Sequence, residues 1–127
     1  MIALMVEDST LVCGRLIPML ASFSGVQVAA TAATPGAAMR WLSHNRCDLV
    51  LLDLALQNGN GFRLLDAIGH ACLPDPNAPA LRVVLTNSAN QVVRRECRRL
   101  GAHAVFDKST QLDELFAFLR RAHAAVH

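Results

Sequence analysis

The sequence predicts an α/β fold in which helices cover both faces of a parallel β-sheet. Five short apolar segments alternate with five segments of helical spacing along the whole chain. The segment 48–53 is too uniformly apolar for a half-exposed strand and is typical of a strand buried on both faces. Strands that are joined by helical crossovers pair in parallel, so we expect the five strands to form one covered sheet.

The predicted strands are short apolar runs, most of which stop at polar residues. They cover residues 2–6, 26–30, 48–53, 81–86 and 102–106. The glycine-rich segment 57–61 is expected to be a loop after the third strand. Prolines at positions 74, 76 and 79 predict a rigid connector before the fourth strand.

The predicted helices are marked by capping residues and by apolar residues at helical spacing. They cover residues 10–22, 35–42, 62–71, 90–100 and 110–125. Ser9 or Thr10 caps the first helix, Thr34 caps the second, and Gly101 closes the fourth. Pro18 lies inside the first helical pattern, so we expect a kink or a late restart there.

Composition limits the class of protein to a single globular domain over residues 1–127. The chain is 53% hydrophobic and 17% charged, which excludes intrinsic disorder. Its net charge of +2 argues against broad coating of nucleic acid. No apolar run approaches the roughly 18 residues that span a bilayer, and no signal peptide is recognisable, so we expect a cytoplasmic protein. The four cysteines form no C-x-x-C pair and are expected to be free thiols.

Polar residues that can carry chemistry follow four of the five predicted strands. Glu7 and Asp8 end the first strand, Asp53 the third and Thr86 the fourth, and the fifth leads into Lys108. In an open parallel sheet the carboxyl ends of the strands form the functional edge. We therefore expect three carboxylates, a hydroxyl and an amine to converge there.

This set of groups is suited to phosphoryl transfer. Clustered carboxylates repel one another and favour a bound cation, and Mg²⁺ takes carboxylate and phosphate oxygens. Asp53 is then a plausible nucleophile that forms an aspartyl phosphate. Lys108 supplies a positive charge for the phosphoryl oxygens, and Thr86 supplies a hydroxyl donor.

The motifs resemble those of a receiver domain of bacterial two-component response regulators, of the single-domain, chemotaxis-regulator-like kind. The matching stretches are LMVEDS at 4–9, LVLLDLALQNGNGFRLL at 49–65, VVLTNSAN at 83–90 and GAHAVFDKS at 101–109. The resemblance extends over essentially the whole chain. It implies a flavodoxin-like, doubly wound sheet of five parallel strands in the order 2-1-3-4-5, with five helices.

The same resemblance implies a role for each site residue. Asp53 would be the phosphoacceptor, and Mg²⁺ would be held by Glu7, Asp8, Asp53 and the main-chain carbonyl of Ala55. Three further residues would respond to the phosphoryl group: Thr86 as the switch hydroxyl, Phe106 as its aromatic partner and Lys108 as a phosphate contact.

Partners are also implied by the resemblance. A histidine kinase or histidine phosphotransfer protein would donate the phosphoryl group, and a downstream protein would bind the face formed by helix 4, strand 5 and helix 5. The chain would be a monomer or a phosphorylation-dependent dimer, and it would catalyse only its own phosphorylation and dephosphorylation. The arginines at 94, 95, 98 and 99 are either a solvated face or part of this docking surface. Direct nucleic-acid binding is not expected, because no aromatic residue lies among them.

Several positions depart from the pattern of the family. Gln57 and Ser109 stand where proline is common, and Asn87 stands where a small residue is usual. Phe106 lacks the hydroxyl of the commoner tyrosine. These departures leave open a phosphorylation-independent adaptor with the same fold, which stoichiometric phosphorylation would exclude.

A third class, a haloacid-dehalogenase-type phosphohydrolase, needs a carboxylate two residues after its nucleophile. Ala55 occupies that position, so the sequence argues against this class.

The opening methionine and the complete last helix favour a stand-alone regulator over a domain cut from a longer protein.

Overall fold

A computed structural model describes residues 1–56, 60–70 and 81–126 of the chain. Several predictions from the sequence fall outside these residues. They concern Gln57, the end of the third helix at Ala71, the thiol of Cys72 and the prolines at 74, 76 and 79.

The five strands form one parallel sheet in the order β2-β1-β3-β4-β5, as the resemblance implied. The strands are β1 Ile2–Val6, β2 Gln27–Ala32, β3 Leu49–Asp53, β4 Leu81–Thr86 and β5 Ala104–Asp107. The helices that alternate with them are α1 Thr10–Ser24, α2 Pro35–His44, α3 Gly61–His70, α4 Gln91–Arg99 and α5 Leu112–Val126. The predicted α/β class and the alternation of elements are therefore confirmed.

Side-chain caps fix where three of the helices begin. The side chains of Ser9, Thr34 and Asn90 each accept a hydrogen bond from the backbone N–H three residues later, at 3.2, 3.1 and 2.9 Å. These bonds satisfy N–H groups that have no partner inside the helix. The first helix is thus capped by Ser9 rather than Thr10.

Helix α1 passes through Pro18 without the restart that was one of the two expectations from the sequence. Proline has no N–H to donate to the carbonyl of Gly14, four residues earlier. Both residues lie on the exposed side of the helix, where water can reach that carbonyl. The interruption is therefore tolerated in a helix whose other side is anchored in the core.

Two hydrophobic cores lie on opposite faces of the sheet. One contains Leu4, Val6, Val50, Leu52, Val84 and Val105 together with residues of α2, α3 and α4. The other contains Ala3, Met5, Leu49, Leu51, Val83 and Leu85 together with residues of α1 and α5. All five residues of β3 are buried, so the prediction of a strand covered on both faces is confirmed.

The last strand begins two residues later than its apolar pattern predicts. Residues 102 and 103 form the approach to β5, where the His103 N–H donates to the Arg82 carbonyl at 2.8 Å. At the other end, the Lys108 N–H donates to the Thr86 carbonyl at 3.0 Å. Pairing with β4 therefore extends the strand to Asp107, a polar residue that the apolar pattern excluded.

Among the described residues, Cys13, Cys47 and Cys97 are free thiols, as predicted. No helix within the described ranges is long and apolar enough to cross a bilayer.

Candidate functional site

Three acidic side chains meet at the carboxyl ends of β1 and β3. Glu7 and Asp53 are each only 7% exposed, and Asp8 is partly exposed beside them. One carboxylate oxygen from each of the three residues lies within 4.8 Å of the others. The convergence predicted from the strand ends is therefore present.

Lys108 reaches into this acidic cluster from the loop after β5. Its Nζ lies 2.5 Å from Glu7 Oε2 and 3.0 Å from Asp53 Oδ2. The three side chains are 13%, 6% and 9% exposed respectively, so these ion pairs are largely shielded from water. A pair buried to this extent stabilises the site only while both partners remain, because either charge alone would be costly to bury.

The ionisation of Glu7 and of Lys108 depends on their burial and on the charges that face them. Burial raises the pKa of Glu7 above its usual value, and the Lys108 ammonium opposes that rise. Burial alone would lower the pKa of Lys108, but hydrogen bonds and charge attraction from Glu7 and Asp53 together raise it. Lys108 therefore stays protonated and provides a fixed positive charge beside Asp53.

The two carboxylate oxygens of Asp53 have different partners. Oδ2 accepts from Lys108, and Oδ1 accepts from the backbone N–H of Ala55 at 3.1 Å. Gly61, the first residue of α3, lies directly against the backbone of Asp53. A Cβ at Gly61 would be 2.4 Å from the Asp53 carbonyl oxygen and 2.5 Å from Leu54 Cα, so only glycine fits.

The oxygen donors of the cluster fit a hard divalent cation. Lys108 takes one oxygen of Glu7 and one of Asp53, and the Ser9 N–H donates to Glu7 Oε1 at 3.2 Å. The carboxylate of Asp8 completes a set of three acids against one ammonium. The main-chain carbonyl of Ala55 remains a predicted ligand, on the exposed residue two positions after Asp53.

Thr86 lies at the end of β4 and is 4% exposed. Its Oγ1 accepts from the Ser88 N–H at 3.1 Å, and its carbonyl accepts from the Lys108 N–H at 3.0 Å. The hydroxyl still carries a proton that it can donate. The hydroxyl and the amine predicted from the sequence are therefore held together where two neighbouring strands, β4 and β5, end.

Phe106 does not lie where the resemblance implied, and the Thr86–Phe106 pairing is corrected. Its ring packs against Phe118, with centroids 5.7 Å apart, in the core shared with α1 and α5. Val84 and Val105 belong to the opposite core, and side chains alternate along a strand. Thr86 therefore shares a face with Val105, two residues after Val84, and Phe106 points away from both. Counting this alternation from Thr86 would have found the error in the sequence.

Arg94 has a role that the sequence did not reveal. Its guanidinium donates to the carbonyls of Ala89 and Val105 and to the side chain of Gln111. Two of these partners are 11 and 17 residues away along the chain, so helical spacing carries no signal of them. Arg94 is thus neither a solvated residue nor a free docking group.

Two of the departures from the family pattern contact each other beside the site. The Ser109 Oγ donates to Asn87 Oδ1 at 3.3 Å. Both residues are exposed, and each directly follows a residue of the site, Lys108 and Thr86 respectively. Their contact joins the loops after β4 and β5.

A family model described as the response regulator receiver domain matches residues 3–120. Because this match covers nearly the whole chain, the protein belongs to the response regulator receiver family. No curated protein matches the sequence closely enough to serve as a relative.

Solved structures agree with this assignment. A non-phosphorylated HemR receiver domain from Leptospira biflexa is 30% identical, with 94% of this chain and 91% of that chain covered and a TM-score of 0.77. The Mn²⁺-bound form of response regulator Rcp1 is 27% identical, with 97% and 91% covered and a TM-score of 0.73. The response regulatory domain of protein mrkE from Klebsiella pneumoniae shares the fold at 22% identity, with 98% and 97% covered and a TM-score of 0.80.

Proposed function

We propose that this receiver accepts a phosphoryl group on Asp53 from the phosphohistidine of a histidine kinase or phosphotransfer protein. The observation that carries the proposal is the position of Lys108, whose Nζ contacts both Asp53 and Glu7. An ammonium at this point neutralises charge on the nucleophile and on an incoming phosphoryl group alike.

The chemical step is an in-line displacement at phosphorus. A carboxylate oxygen of Asp53 attacks, the new P–O bond forms, and the P–N bond of the donor breaks. The bonding electron pair leaves with the imidazole of the donor. The Ala55 N–H and the Lys108 Nζ hold the Asp53 carboxylate in one orientation, at 3.1 and 3.0 Å, so little reorganisation is required.

A divalent cation belongs to this proposal. Glu7, Asp8, Asp53 and the Ala55 carbonyl would hold Mg²⁺, which when bound neutralises the oxygens of the transferring phosphoryl group. The Mn²⁺-bound form of Rcp1 supports placing a divalent cation in a receiver of this family.

The signal leaves the site through Thr86 and the loop that follows it. The Thr86 hydroxyl donates to a phosphoryl oxygen on Asp53. This movement draws the hydroxyl away from the Ser88 N–H, which donates to it in the unphosphorylated protein. The face formed by α4, β5 and α5 then changes its affinity for a downstream protein. We propose that the chain works in the cytoplasm and assists only its own phosphorylation and dephosphorylation.

The experiment is incubation with phosphoramidate, a small donor with a P–N bond, followed by intact-mass measurement. We expect one added phosphoryl group in Mg²⁺ and none in excess chelator or in Asp53→Asn. Asp66→Asn, a change at an exposed acid on α3, is the matched control and should behave as wild type. If the wild type gains nothing here or from a phosphorylated histidine kinase, the adaptor that functions without phosphorylation replaces this proposal.

A further inference from the structure

The side chain of Arg94 joins four separate parts of the molecule. Its Nε donates to the carbonyl of Ala89, in the loop after β4, at 2.9 Å. Its Nη1 donates to the carbonyl of Val105 in β5 at 2.6 Å, and its Nη2 donates to Gln111 Oε1, just before α5, at 2.5 Å. Since Arg94 itself lies in α4, we refer to these three bonds as the Arg94 bridge.

Gln111 extends the bridge to the end of β5. The same Oε1 that accepts from Arg94 also accepts from the Asp107 N–H at 2.9 Å. The Gln111 N–H in turn donates to the Asp107 carbonyl at 3.0 Å. The position of α5 at its first turn is therefore tied to both β5 and α4.

The bridge begins in the loop that carries Thr86. Ala89 is three residues after Thr86, and between them the Ser88 N–H holds the Thr86 hydroxyl. If Thr86 moves toward a phosphoryl group on Asp53, the loop must move with it, and the Ala89 carbonyl shifts relative to Val105. A planar guanidinium cannot follow two separating carbonyls, because its donors have a fixed geometry.

Other residues of the region are poorly placed to transmit this movement. Phe106 packs on the opposite face of the sheet, against Phe118. Arg99 pairs at 2.6 Å with Glu96, within α4 itself and exposed to solvent. Arg94, by contrast, contacts the Thr86 loop, β5 and the start of α5 at the same time.

We propose that Arg94 is a positioning residue that couples the phosphorylation of Asp53 to the α4–β5–α5 face and that its bridge holds the unphosphorylated arrangement. This inference rests on the proposed function. It follows by linkage that weakening the bridge favours the phosphorylated arrangement, and so strengthens binding of a phosphoryl mimic at Asp53.

The test is the affinity for beryllofluoride, a phosphoryl mimic, in Mg²⁺, measured by calorimetry on the wild type and five variants. Arg94→Lys keeps the positive charge but loses the planar set of guanidinium donors that forms the Arg94 bridge. We therefore expect beryllofluoride to bind more tightly, by roughly fivefold or more. Arg95→Lys, at the exposed neighbouring position on α4, is the matched control and should leave the affinity unchanged.

Gln111→Glu gives a test in the opposite direction. A carboxylate at 111 still accepts from Asp107 and binds Arg94 more strongly, because the hydrogen bond gains full charge on both sides. We expect this variant to bind beryllofluoride about threefold more weakly. In an Arg94→Met background the same substitution should lose that effect, which separates the bridge from the added charge near the site.

The outcomes distinguish this inference from the proposed function. Binding to Arg94→Lys that equals or falls below the wild type overturns the inference, as does a Gln111→Glu effect that persists without Arg94. Absence of beryllofluoride binding to the wild type contradicts the proposed function, and the coupling with it. Thermal unfolding of each variant establishes whether it is folded. If Arg94→Lys does not fold, the affinity of Gln111→Glu decides the test.

Discussion

The two halves of the site differ in how much of each is held by the sheet. The strand half consists of Glu7, Asp8 and Asp53, at the ends of two central strands. The loop half consists of residues 86–90 and 107–111, which are the last residue of β4 and of β5 and the loops that follow them. The Glu7 N–H continues the sheet by donating to the Ala32 carbonyl at 2.9 Å, and Asp53 still pairs with β4.

In the loop half the sheet ends at the pairing of Thr86 with Asp107 and at the Lys108 N–H, which donates to the Thr86 carbonyl at 3.0 Å. Beyond that point the loops depend on short-range turn contacts. Thr86 Oγ1 accepts from a backbone N–H two residues later at 3.1 Å, and Asp107 Oδ1 does so from Ser109 at 2.7 Å. Such bonds can exchange without disturbing the sheet, whereas movement of the strand half would break the core. The difference supports the proposal that the strand half performs the chemistry and that the loop half responds to it.

Loss of Lys108 should have the largest effect on this division, because its amine joins the two halves. In Lys108→Met we expect phosphorylation by a small donor to slow by about 100-fold or more, since a charge stabilising the transition state is lost. The unfolding free energy without Mg²⁺ should fall by about 3 kcal/mol, because Glu7 and Asp53 lose a buried counter-charge.

Initial phosphorylation rates and urea titrations measure both effects. Lys108→Arg, which keeps the positive charge, should recover most of the stability and part of the rate. A Lys108→Met variant as stable and as fast as the wild type would show that the two halves act independently.

Gly61→Ala tests how rigid the strand half is. The added Cβ would meet the backbone of Asp53 and Leu54 at 2.4 and 2.5 Å, and neither can move without shifting β3. We expect the unfolding free energy to fall by about 2 kcal/mol or more, and phosphorylation to slow with it.

The matched control is Gly14→Ala, on the exposed side of α1, where a Cβ meets nothing within 4 Å. There alanine should stabilise the protein by about 0.5–1 kcal/mol, because it has the higher helix propensity. Equal effects at the two positions, measured by urea unfolding, would mean that the close contact at Gly61 is relieved cheaply.

Asn87→Ala and Ser109→Ala should give the smallest effect, confined to the loop half. Their contact joins the two loops beside the site, so its loss opens a path for water to the phosphoryl group. We expect each single variant to lose its phosphoryl group about threefold faster, as for one exposed hydrogen bond.

The double variant should lose the phosphoryl group no faster than either single one, because all three lack the same contact. Release of inorganic phosphate after removal of the donor is the measurement. Rates that multiply in the double variant would show that the two residues act separately.

The architecture was predictable because its signals are local. The apolar runs that became β1 and β4 gave the bounds of those strands, and the buried run ending at Asp53 identified a central strand. The acidic cluster followed from topology, since parallel strands bring their carboxyl ends to one edge. Only the order of the strands needed the resemblance to a known family.

The errors concern features that depend on three-dimensional contacts. The role of Phe106 was taken from the resemblance to the family, yet alternation along β5 places its ring on the other face of the sheet. The partners of Arg94 lie on other elements, so its spacing suggested only a basic helix face. At Pro18 only the late restart is wrong, and the continuity of α1 there depends on which side of the helix faces solvent.

The most direct test of the account is a time course of intact mass for the wild type, Asp53→Asn and Asn87→Ala. Each is incubated with acetyl phosphate and Mg²⁺, and the donor is then removed. We predict that Asp53→Asn never gains a phosphoryl group, and that Asn87→Ala gains it to the same extent as the wild type but loses it sooner. On this account the site is divided into a strand half that accepts the phosphoryl group and a loop half that governs its lifetime. A phosphoryl group on Asp53→Asn, or failure of Asn87→Ala to acquire one, would contradict this division.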